Sequence, residues 1–296
     1  MLPVWYEDYR FLIEKNIKKT LKEIFSQFEG TVLEDFKEII FYATEGGKRF
    51  RSVLALEIYS ILSGKNISQI DEKADIWKWC VAIEIMHSFS LVHDDLPAMD
   101  NDEYRRGKPT VWKKYGEYQA ILIGDLLNTL SFELLSMIEN GEYSKKLVKL
   151  LSSTIGLYGM IGGQIEDMYF EKDISSLDEQ GLESLHNKKT GKLIQASLIG
   201  GAILAGKENF IENLQEFGKN LGLAFQIKDD ILDVEGTKEE TGKSVGGEEK
   251  GFVYIYGLEK SKEILATLQK KCLEEIQAFP SEKLEFIVHY VVERRG

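Results

Sequence analysis

Helical periodicity extends through nearly the whole chain, with few residues that would interrupt it. Apolar residues recur every three or four positions in about ten segments, among them residues 12–28, 76–99 and 181–204. Only four prolines occur in the 296 residues, so most of these segments contain no helix breaker. Alternating apolar and polar runs with hairpin signals are nearly absent. The sequence therefore predicts an all-α protein of about ten helices in a single domain covering residues 1–296.

Composition and charge limit the kinds of partner. A net charge of -12 disfavours nucleic-acid binding, because a phosphate backbone would be repelled. The longest apolar stretch, residues 193–205, contains Gln195 and Ser197 and is too short to span a bilayer. Cys80 and Cys272 fit neither a disulfide framework nor a zinc spacing, and the N-terminus has no signal-peptide pattern. We therefore expect a cytoplasmic protein with no membrane span.

The first acidic motif is HDDLPAMDNDE, residues 93–103. Asp94 and Asp95 end an apolar segment, and Asp100 follows after a short spacer that contains Pro97. Carboxylates clustered at a helix end offer oxygen ligands to a hard cation, and Mg²⁺ prefers one or two carboxylates together with substrate phosphates and waters. For this motif taken alone, a solvated acidic turn is the alternative interpretation.

The second acidic motif is FQIKDDILD, residues 225–233. Asp229 and Asp233 are four residues apart and share one helical face, with Asp230 beside them. Ile231 and Leu232 lie between these aspartates, where a solvated surface helix would normally carry Lys or Arg. Because three like charges so close destabilise a helix without a cation, this motif also predicts metal binding.

Two short segments concentrate positive charge. GGKRFR, residues 46–51, places basic residues after two glycines, in a loop where backbone and cations can approach phosphate. YRRGKPT, residues 104–110, directly follows the first acidic motif. Each segment alone would more often be a solvated basic turn. Beside metal-binding carboxylates, the two segments indicate a site for two diphosphates.

These four segments occur together with AILIGDLL, GMIGGQIEDM, KKTGKLI and YGLEKSKE, in that order along the chain. The set resembles the short-chain trans-prenyl diphosphate synthases (polyprenyl synthetases) of the bacterial farnesyl diphosphate synthase type. The resemblance extends from Phe36 to the C-terminus. It implies an isoprenoid-synthase-type helix bundle around a deep central cavity, with the two aspartate motifs facing each other at its mouth, and a homodimer.

The resemblance also assigns roles by matched position. Magnesium ions, roughly three per site, would be held by Asp94, Asp100 and Asp229. Asp95, Asp230 and Asp233 would support these ligands. The cations expected on the allylic diphosphate are Arg105, Lys189 and Lys243. Isopentenyl diphosphate would contact Lys48, Arg51, His87 and Arg106. Side chains expected beside the developing allylic cation are Thr190, Gln226, Gln164 and Asp167. For His87, a core histidine is the alternative that the residue alone would favour.

The implied activity is condensation of isopentenyl diphosphate with dimethylallyl and then geranyl diphosphate, giving farnesyl diphosphate and releasing diphosphate. Phe89, five residues before Asp94, and the Pro97–Ala98 insertion resemble the pattern of bacterial enzymes that stop at the farnesyl length. A geranyl or geranylgeranyl diphosphate synthase remains an alternative. A terpene cyclase is disfavoured by the second motif and by GGKRFR. A non-catalytic synthase subunit is disfavoured because both acidic motifs are intact.

The segment after Lys243 departs from the family. It reads GKSVGGEEKGFVYIYGLE and is several residues shorter than the lysine-containing loop that family members carry before the next helix. Lys250 does not clearly replace the family lysine. Two interpretations stay open: a real deletion that alters closure of the site, or a mobile loop that is absent from the sequence.

Overall fold

The computed structural model describes residues 2–172, 177–235 and 251–294. Most of them are helical, and the prediction of an all-α protein is confirmed. The one β-structure within these ranges is an antiparallel ribbon in which β1 (Tyr104–Arg105) pairs with β2 (Lys108–Pro109). Contacts between Cα atoms divide the chain into two compact units. The single-domain expectation stays a prediction.

The described residues form fourteen α-helices, in chain order: α1 (Val4–Phe25), α2 (Asp35–Thr44), α3 (Phe50–Ser63), α4 (Asp75–Asp94), α5 (Val111–Tyr115), α6 (Glu117–Ser136), α7 (Gly141–Ile155), α8 (Met160–Phe170), α9 (Glu179–His186), α10 (Lys192–Leu204), α11 (Ile211–Glu235), α12 (Phe252–Tyr256), α13 (Leu258–Glu275) and α14 (Glu282–Glu293). Short 3₁₀ turns lie at Ser26–Phe28, Val32–Glu34, Ile67–Gln69, Glu208–Phe210 and Ile276–Ala278. The first helix begins earlier than the apolar pattern predicted, at Val4 rather than at residue 12.

The first unit comprises the chain up to Leu56 and Lys65–Val148, and α4 is its central helix. Helix α4 packs against α1, α2 and α6, and most of its side chains are buried on every side. A helix that is apolar all round can be stable only inside such a bundle. Trp79, among the largest fully buried side chains, fixes α4 there. The first acidic motif is therefore held at the end of a rigid, buried helix.

Helix α4 ends at Asp94, five residues before the end that periodicity predicted. Pro97 has no N–H to donate and disfavours helical geometry at Leu96, so the helix cannot continue. The Asp95 and Leu96 amides still donate to carbonyls of the last turn, to Leu91 and His93 respectively. The end of the helix thus falls between the first two aspartates of the motif.

The second unit comprises Glu57–Gly64 and the chain from Lys149 onward, and α11 is its central helix. Helix α11 packs against α10, α13 and α14. Its buried face includes Phe217, Leu221 and Ile227, which are almost fully shielded from solvent. This packing holds the C-terminal half of α11, which carries the second acidic motif, against the bundle.

The predicted continuous helix over residues 181–204 is interrupted by a π-helical turn, Asn187–Gly191. Two glycines let other helices approach this turn closely. A Cβ added to Gly222 of α11 would lie 2.7 Å from the Gly191 Cα, and one added to Gly163 of α8 would lie 2.8 Å from the Lys189 nitrogen. Helix α8 itself was missed by the periodicity, because Gly162 and Gly163 lower the helical propensity of its sequence.

The two cysteines are free thiols, and both are fully buried. Cys80 lies in α4 and Cys272 in α13. Burial raises the pKa of both thiols. Among the described residues, no helix combines the length and the apolar character needed to cross a membrane.

Candidate active site

The first acidic motif folds back on the end of α4. The Asp100 amide donates to the Asp94 carbonyl at 2.9 Å, and Asn101 takes a left-handed conformation (φ 54°) that reverses the chain. Asp94 is half-buried and Asp100 is exposed. The turn therefore returns Asp100 to the helix end that carries Asp94, as the spacing predicted.

Asp95 is the buried member of the motif, with 4% of its surface exposed. Arg105 binds one oxygen, Asp95 Oδ1, through two nitrogens, with Nε at 2.7 Å and Nη2 at 2.6 Å. Burial raises the pKa of the Asp95 carboxyl, and the pairing with Arg105 opposes that rise. Arg105, predicted as a diphosphate ligand, therefore lies directly against the first acidic motif and neutralises its buried carboxylate.

The two basic segments come together within the first unit. A Cβ added to Gly47 would lie 2.7 Å from a terminal nitrogen of Arg106, so the guanidinium of Arg106 lies directly against the GGKRFR loop. Gly47 has φ 92°, which favours glycine at this position. The Tyr6 hydroxyl donates to the Lys48 carbonyl at 2.9 Å and ties the GGKRFR loop to α1. Arg51 and Arg106, which come from the two segments, thus belong to one cationic region, and the backbone of Lys48 lies in the loop that borders it.

Arg51 lies half-buried in the first turn of α3 with an incomplete set of partners. The pKa of its guanidinium is lowered to about 10, mainly by burial; the charge of Glu84 opposes the lowering, and the charge of Arg106 adds to it. Its Nε is shielded from solvent and has no hydrogen-bond partner among the described residues. A buried donor without an acceptor is costly, and an oxyanion would satisfy it.

His87 lies beside these cations. Burial, and then the charges of Arg51 and Arg106, hold the pKa of His87 well below its usual range. Its imidazole is therefore neutral at physiological pH and can donate one hydrogen bond without adding positive charge. The core-histidine alternative does not account for a half-buried ring facing several arginines.

Arg49, a neighbour of the predicted ligands, has a different role. Its side chain is 6% exposed, and it donates to the Thr44 carbonyl at 2.6 Å and pairs with Glu84 at 3.4 Å. Glu84 is buried and also accepts from the Ser52 amide at 3.1 Å. Sequence reasoning missed Glu84, although a single carboxylate inside the apolar run CVAIEIM was the signal. This pair anchors the GGKRFR loop to α4.

The second acidic motif has a different partner for each of two aspartates. Asp229 Oδ1 lies 2.8 Å from a terminal nitrogen of Arg294. Asp230 accepts from the Phe252 amide at 2.8 Å and from Gln226 Nε2 at 3.4 Å. Burial raises the pKa of Asp230 to about 7, and these hydrogen bonds oppose the rise. A nearby cation would stabilise the charged form of this buried carboxyl.

Gln226 connects the second motif to the π-helical turn. The Thr190 hydroxyl donates to Gln226 Oε1 at 3.1 Å, while Gln226 Nε2 reaches Asp230. Thr190 and Gln226, predicted to lie beside the same reacting carbon, are therefore in direct contact. The chain of hydrogen bonds fixes the Gln226 oxygen toward Thr190.

Lysines of the π-helical turn pair with carboxylates of α8. Lys189 Nζ lies 2.5 Å from Asp167 Oδ2, and Lys188 forms an ion pair with Glu166. Asp167 is 6% exposed, and Gln164 Nε2 is buried without a hydrogen-bond partner among the described residues. Lys189 and Asp167, singled out from the sequence, thus lie in one contact between α8 and the turn, and Gln164 lies one turn earlier in α8.

Three further predictions concern residues near or outside these contacts. Phe89 is 9% exposed in α4, and its ring meets that of His93 edge-on with centroids 4.9 Å apart. Lys243 and the shortened segment after it lie outside the described residues. Asp233 is half-buried near the end of α11.

The donor chemistry of the two motifs fits Mg²⁺. Within the described part of the chain, no group of three or more acidic, histidine or cysteine side chains is already gathered for a metal. Mg²⁺ needs fewer protein ligands than such a group supplies, since it commonly takes one or two carboxylates and completes its coordination shell with waters and phosphate oxygens. The second motif already holds one positive group, the Arg294 guanidinium on Asp229.

The fold and these contacts describe an all-helical protein that carries two carboxylate motifs and two cationic segments. The family profile described as Polyprenyl synthetase matches residues 34–289, so the chain belongs to the polyprenyl synthetase family of trans-prenyltransferases.

Individual relatives agree with this assignment. The chain is 42% identical over 258 residues to a farnesyl diphosphate synthase of Micrococcus luteus, covering 84% of this chain and 85% of that one. It is 36% identical over 292 residues to geranylgeranyl pyrophosphate synthase 4 of Arabidopsis thaliana, covering 96% and 76%. The structure of a Helicobacter pylori geranyltransferase complexed with magnesium and isoprenyl diphosphate is similar, with a TM-score of 0.77, 35% identity and coverage of 99% and 98%.

Proposed function

We propose that the chain is a magnesium-dependent farnesyl diphosphate synthase. It would condense isopentenyl diphosphate with dimethylallyl diphosphate and then with geranyl diphosphate, releasing diphosphate each time. The observation that carries the proposal is the cationic region around Arg51, which has a buried donor without an acceptor beside a neutral His87. Family membership and relatives that carry this activity support it.

Isopentenyl diphosphate is assigned to the cationic region of the first unit. Arg51 and Arg106 would hold its phosphates through charged hydrogen bonds, Lys48 would add a third charge, and neutral His87 would donate one further bond. The Tyr6 contact with the Lys48 carbonyl would keep the loop in a binding conformation.

The allylic diphosphate is assigned to the acidic motifs and their cations. Mg²⁺ held by the aspartates would act as a Lewis acid on the diphosphate oxygens. The residues proposed to hold it are Asp94, Asp100 and Asp229, with Asp95, Asp230 and Asp233 in support. Arg105 and Lys189 would exchange their carboxylate partners for phosphate oxygens, and Lys243 is proposed for the same role from the family pattern.

The proposed reaction begins with cleavage of the allylic C–O bond, which gives an allylic cation and diphosphate. Arg105 and Lys189 would stabilise the charge that builds on the departing oxygens. The oxygens of Thr190 and Gln226 would stabilise the cation, with Gln164 and Asp167 in the same region. The double bond of isopentenyl diphosphate then adds to the cation, and loss of one proton to the departing diphosphate restores a neutral alkene.

The direct test is product analysis. Purified protein is incubated with labelled isopentenyl diphosphate and dimethylallyl, geranyl or farnesyl diphosphate, with and without Mg²⁺. We expect Mg²⁺-dependent farnesyl diphosphate from the first two starters. No condensation with any starter would exclude the proposal. Geranylgeranyl diphosphate as the main product would favour the second candidate, which the Arabidopsis relative supports.

Phe89 is proposed to limit product length. Because the ring is buried in the last turns of α4 before Asp94, Phe89→Ala is expected to open space below the motif and shift the main product from farnesyl to geranylgeranyl diphosphate. Chromatography of the dephosphorylated products measures this. Ile83→Ala, a truncation at a fully buried position of the same helix, is the control and should leave product length unchanged. Equal product lengths for both variants would remove Phe89 from the role.

We also propose a homodimer in the cytoplasm. Helix α6 exposes a stripe of large apolar side chains at helical spacing. The stripe consists of Tyr118 (63% exposed), Ile121 (44%), Leu122 (50%) and Leu126 (36%). Helix α8 exposes Ile161, Ile165 and Tyr169, at 42, 56 and 61%. A second copy of the chain would cover such surfaces. The two free, buried thiols fit a reducing compartment.

Leu122→Glu is expected to convert the dimer to a monomer, because it places a charge in the centre of the α6 stripe. Sedimentation velocity at micromolar protein measures the change. Leu33→Glu is the matched control, since Leu33 has a similar exposed fraction (48%) but lies in a 3₁₀ turn away from the stripe. A monomeric wild-type protein, or a Leu122→Glu protein that stays dimeric, would contradict the assignment of this face.

A further inference from the structure

Arg294, the last described residue, is held firmly against α11. Its side chain is 6% exposed. One terminal nitrogen donates to Asp229 Oδ1 at 2.8 Å and to the Phe225 carbonyl at 2.9 Å, and Nε donates to the Val291 carbonyl at 3.3 Å. The guanidinium lies 4.0 Å over the Phe225 ring. This arginine is therefore a buried cation with defined partners, and differs from a solvated terminal residue.

The guanidinium of Arg294 lies against a cluster of negatively charged side chains. Asp229, Asp230 and Asp233 place three carboxyl groups within five residues near the end of α11. Like charges so close destabilise a helix, and a cation on Asp229 offsets part of this repulsion. The same oxygen atom, Asp229 Oδ1, is a ligand that the proposed function gives to Mg²⁺. A guanidinium and a divalent cation on one carboxylate would repel each other.

We propose that Arg294 is an internal counterion of the second acidic motif, which a divalent cation must displace from Asp229. Metal loading is then coupled to release of Arg294 from α11. Arg294 is a positioning residue in this proposal, since it acts through Asp229. The proposal rests on the proposed function in one respect, the role of Asp229 as a metal ligand.

A purely structural role makes the opposite prediction. If Arg294 only fastens α14 to α11, its removal loosens Asp229 and leaves metal affinity unchanged or weaker. If Arg294 competes with the metal, its removal takes one positive charge away from Asp229 and metal binds more tightly. The sign of the change in metal affinity therefore separates the two roles.

The experiment measures Mn²⁺ binding to the full chain, without substrates, by electron paramagnetic resonance of free Mn²⁺. Mn²⁺ serves as the probe because it takes the same octahedral oxygen ligands as Mg²⁺. The Mn²⁺ sites that depend on Asp229 are those lost in the Asp229→Asn variant. At these sites, Arg294→Gln is expected to bind Mn²⁺ about fivefold to tenfold more tightly than wild type. Arg294→Lys keeps the charge but cannot hold the same partners, so an intermediate affinity is expected.

The matched control is Lys262→Gln. Lys262 pairs with Glu235 at 2.7 Å, two residues beyond Asp233, and both side chains are more than two-fifths exposed. This variant removes one positive charge beside the same helix end without touching the motif. We expect less than a twofold change in Mn²⁺ affinity, because exposed pairs are screened by solvent. Folded Arg294→Gln protein with wild-type or weaker affinity would overturn the counterion role.

A measurement on the wild-type protein covers the case in which Arg294→Gln does not fold. Phenylglyoxal modifies accessible guanidinium groups, and mass spectrometry locates the products. Arg294 should react slowly without metal and several-fold faster with saturating Mn²⁺. Arg10 of α1, paired with Glu7 on the surface, is the internal control and should react equally in both conditions. An unchanged rate at Arg294 with Mn²⁺ bound would also overturn the proposal.

The Asp229→Asn variant distinguishes the metal role of Asp229 from the counterion role of Arg294. If this variant keeps wild-type Mn²⁺ affinity, the metal role of Asp229 in the proposed function is wrong. If it loses a binding component while Arg294→Gln binds as wild type does, the counterion role alone is wrong.

Discussion

Asp94→Asn is expected to lower kcat/KM for condensation about a thousandfold or more, with little change in the free energy of unfolding. The substitution keeps the shape of the side chain but removes the negative charge at the end of α4, where the first acidic motif turns back on itself. Asp94 is half-buried, and asparagine keeps the volume of its side chain, so the end of α4 should keep its packing. The measurement is steady-state kinetics at saturating Mg²⁺, with circular dichroism to follow the fold.

Asp102→Asn is the control for Asp94→Asn. Asp102 lies in the same loop, but its carboxylate is 44% exposed and contacts Arg105 only at 3.6 Å. We expect a change in kcat/KM of less than about threefold, since exposed pairs contribute little. A loss of activity in Asp102→Asn equal to that in Asp94→Asn would indicate that general negative charge in the loop matters, and that Asp94 has no special role.

Arg51→Gln and Arg49→Gln are expected to have opposite effects, although the two residues are neighbours in one loop. Arg51→Gln should raise KM for isopentenyl diphosphate about thirtyfold to a hundredfold, because a charged hydrogen bond to phosphate is lost. Its kcat and its KM for the allylic substrate should change little. Its melting temperature should stay the same or rise, since burial already disfavours the charged form of Arg51.

Arg49→Gln should instead reduce stability. It leaves Glu84 buried without its cationic partner, and breaking one side of a buried ion pair costs about 3–5 kcal/mol. Thermal denaturation and substrate-dependent kinetics of both variants test the assignment. Arg51→Gln protein that melts far below wild type, with an unchanged KM for isopentenyl diphosphate, would show that the roles of the two arginines are reversed.

The helices were predictable because burial of apolar faces leaves a strong periodic pattern, as in α4 and α11. Their ends were less predictable. The pattern continued to residue 99, but Pro97 ends α4 at Asp94. The π-helical turn could not be read from the sequence either, because its geometry depends on close contact with Gly163 and Gly222 of other helices.

The residues of the candidate site were predictable wherever charge stands out against an apolar background, as in both aspartate motifs and GGKRFR. Which charged side chains pair with one another was not predictable. The sequence offers Arg49 and Arg51 as equivalent cations, and only tertiary packing gives Glu84 to the first of them. The pairing of Arg294 with Asp229 joins residues 65 positions apart and left no local signal.

The two buried thiols have a practical consequence. Cys80 and Cys272 are fully enclosed, and burial raises the pKa of each, so little thiolate exists to react with maleimides. A cysteine introduced on the surface would then be the main reactive thiol without removal of the native pair. Single-site attachment of fluorophores or spin labels, for following the chain through a catalytic cycle, can therefore begin from the wild-type sequence.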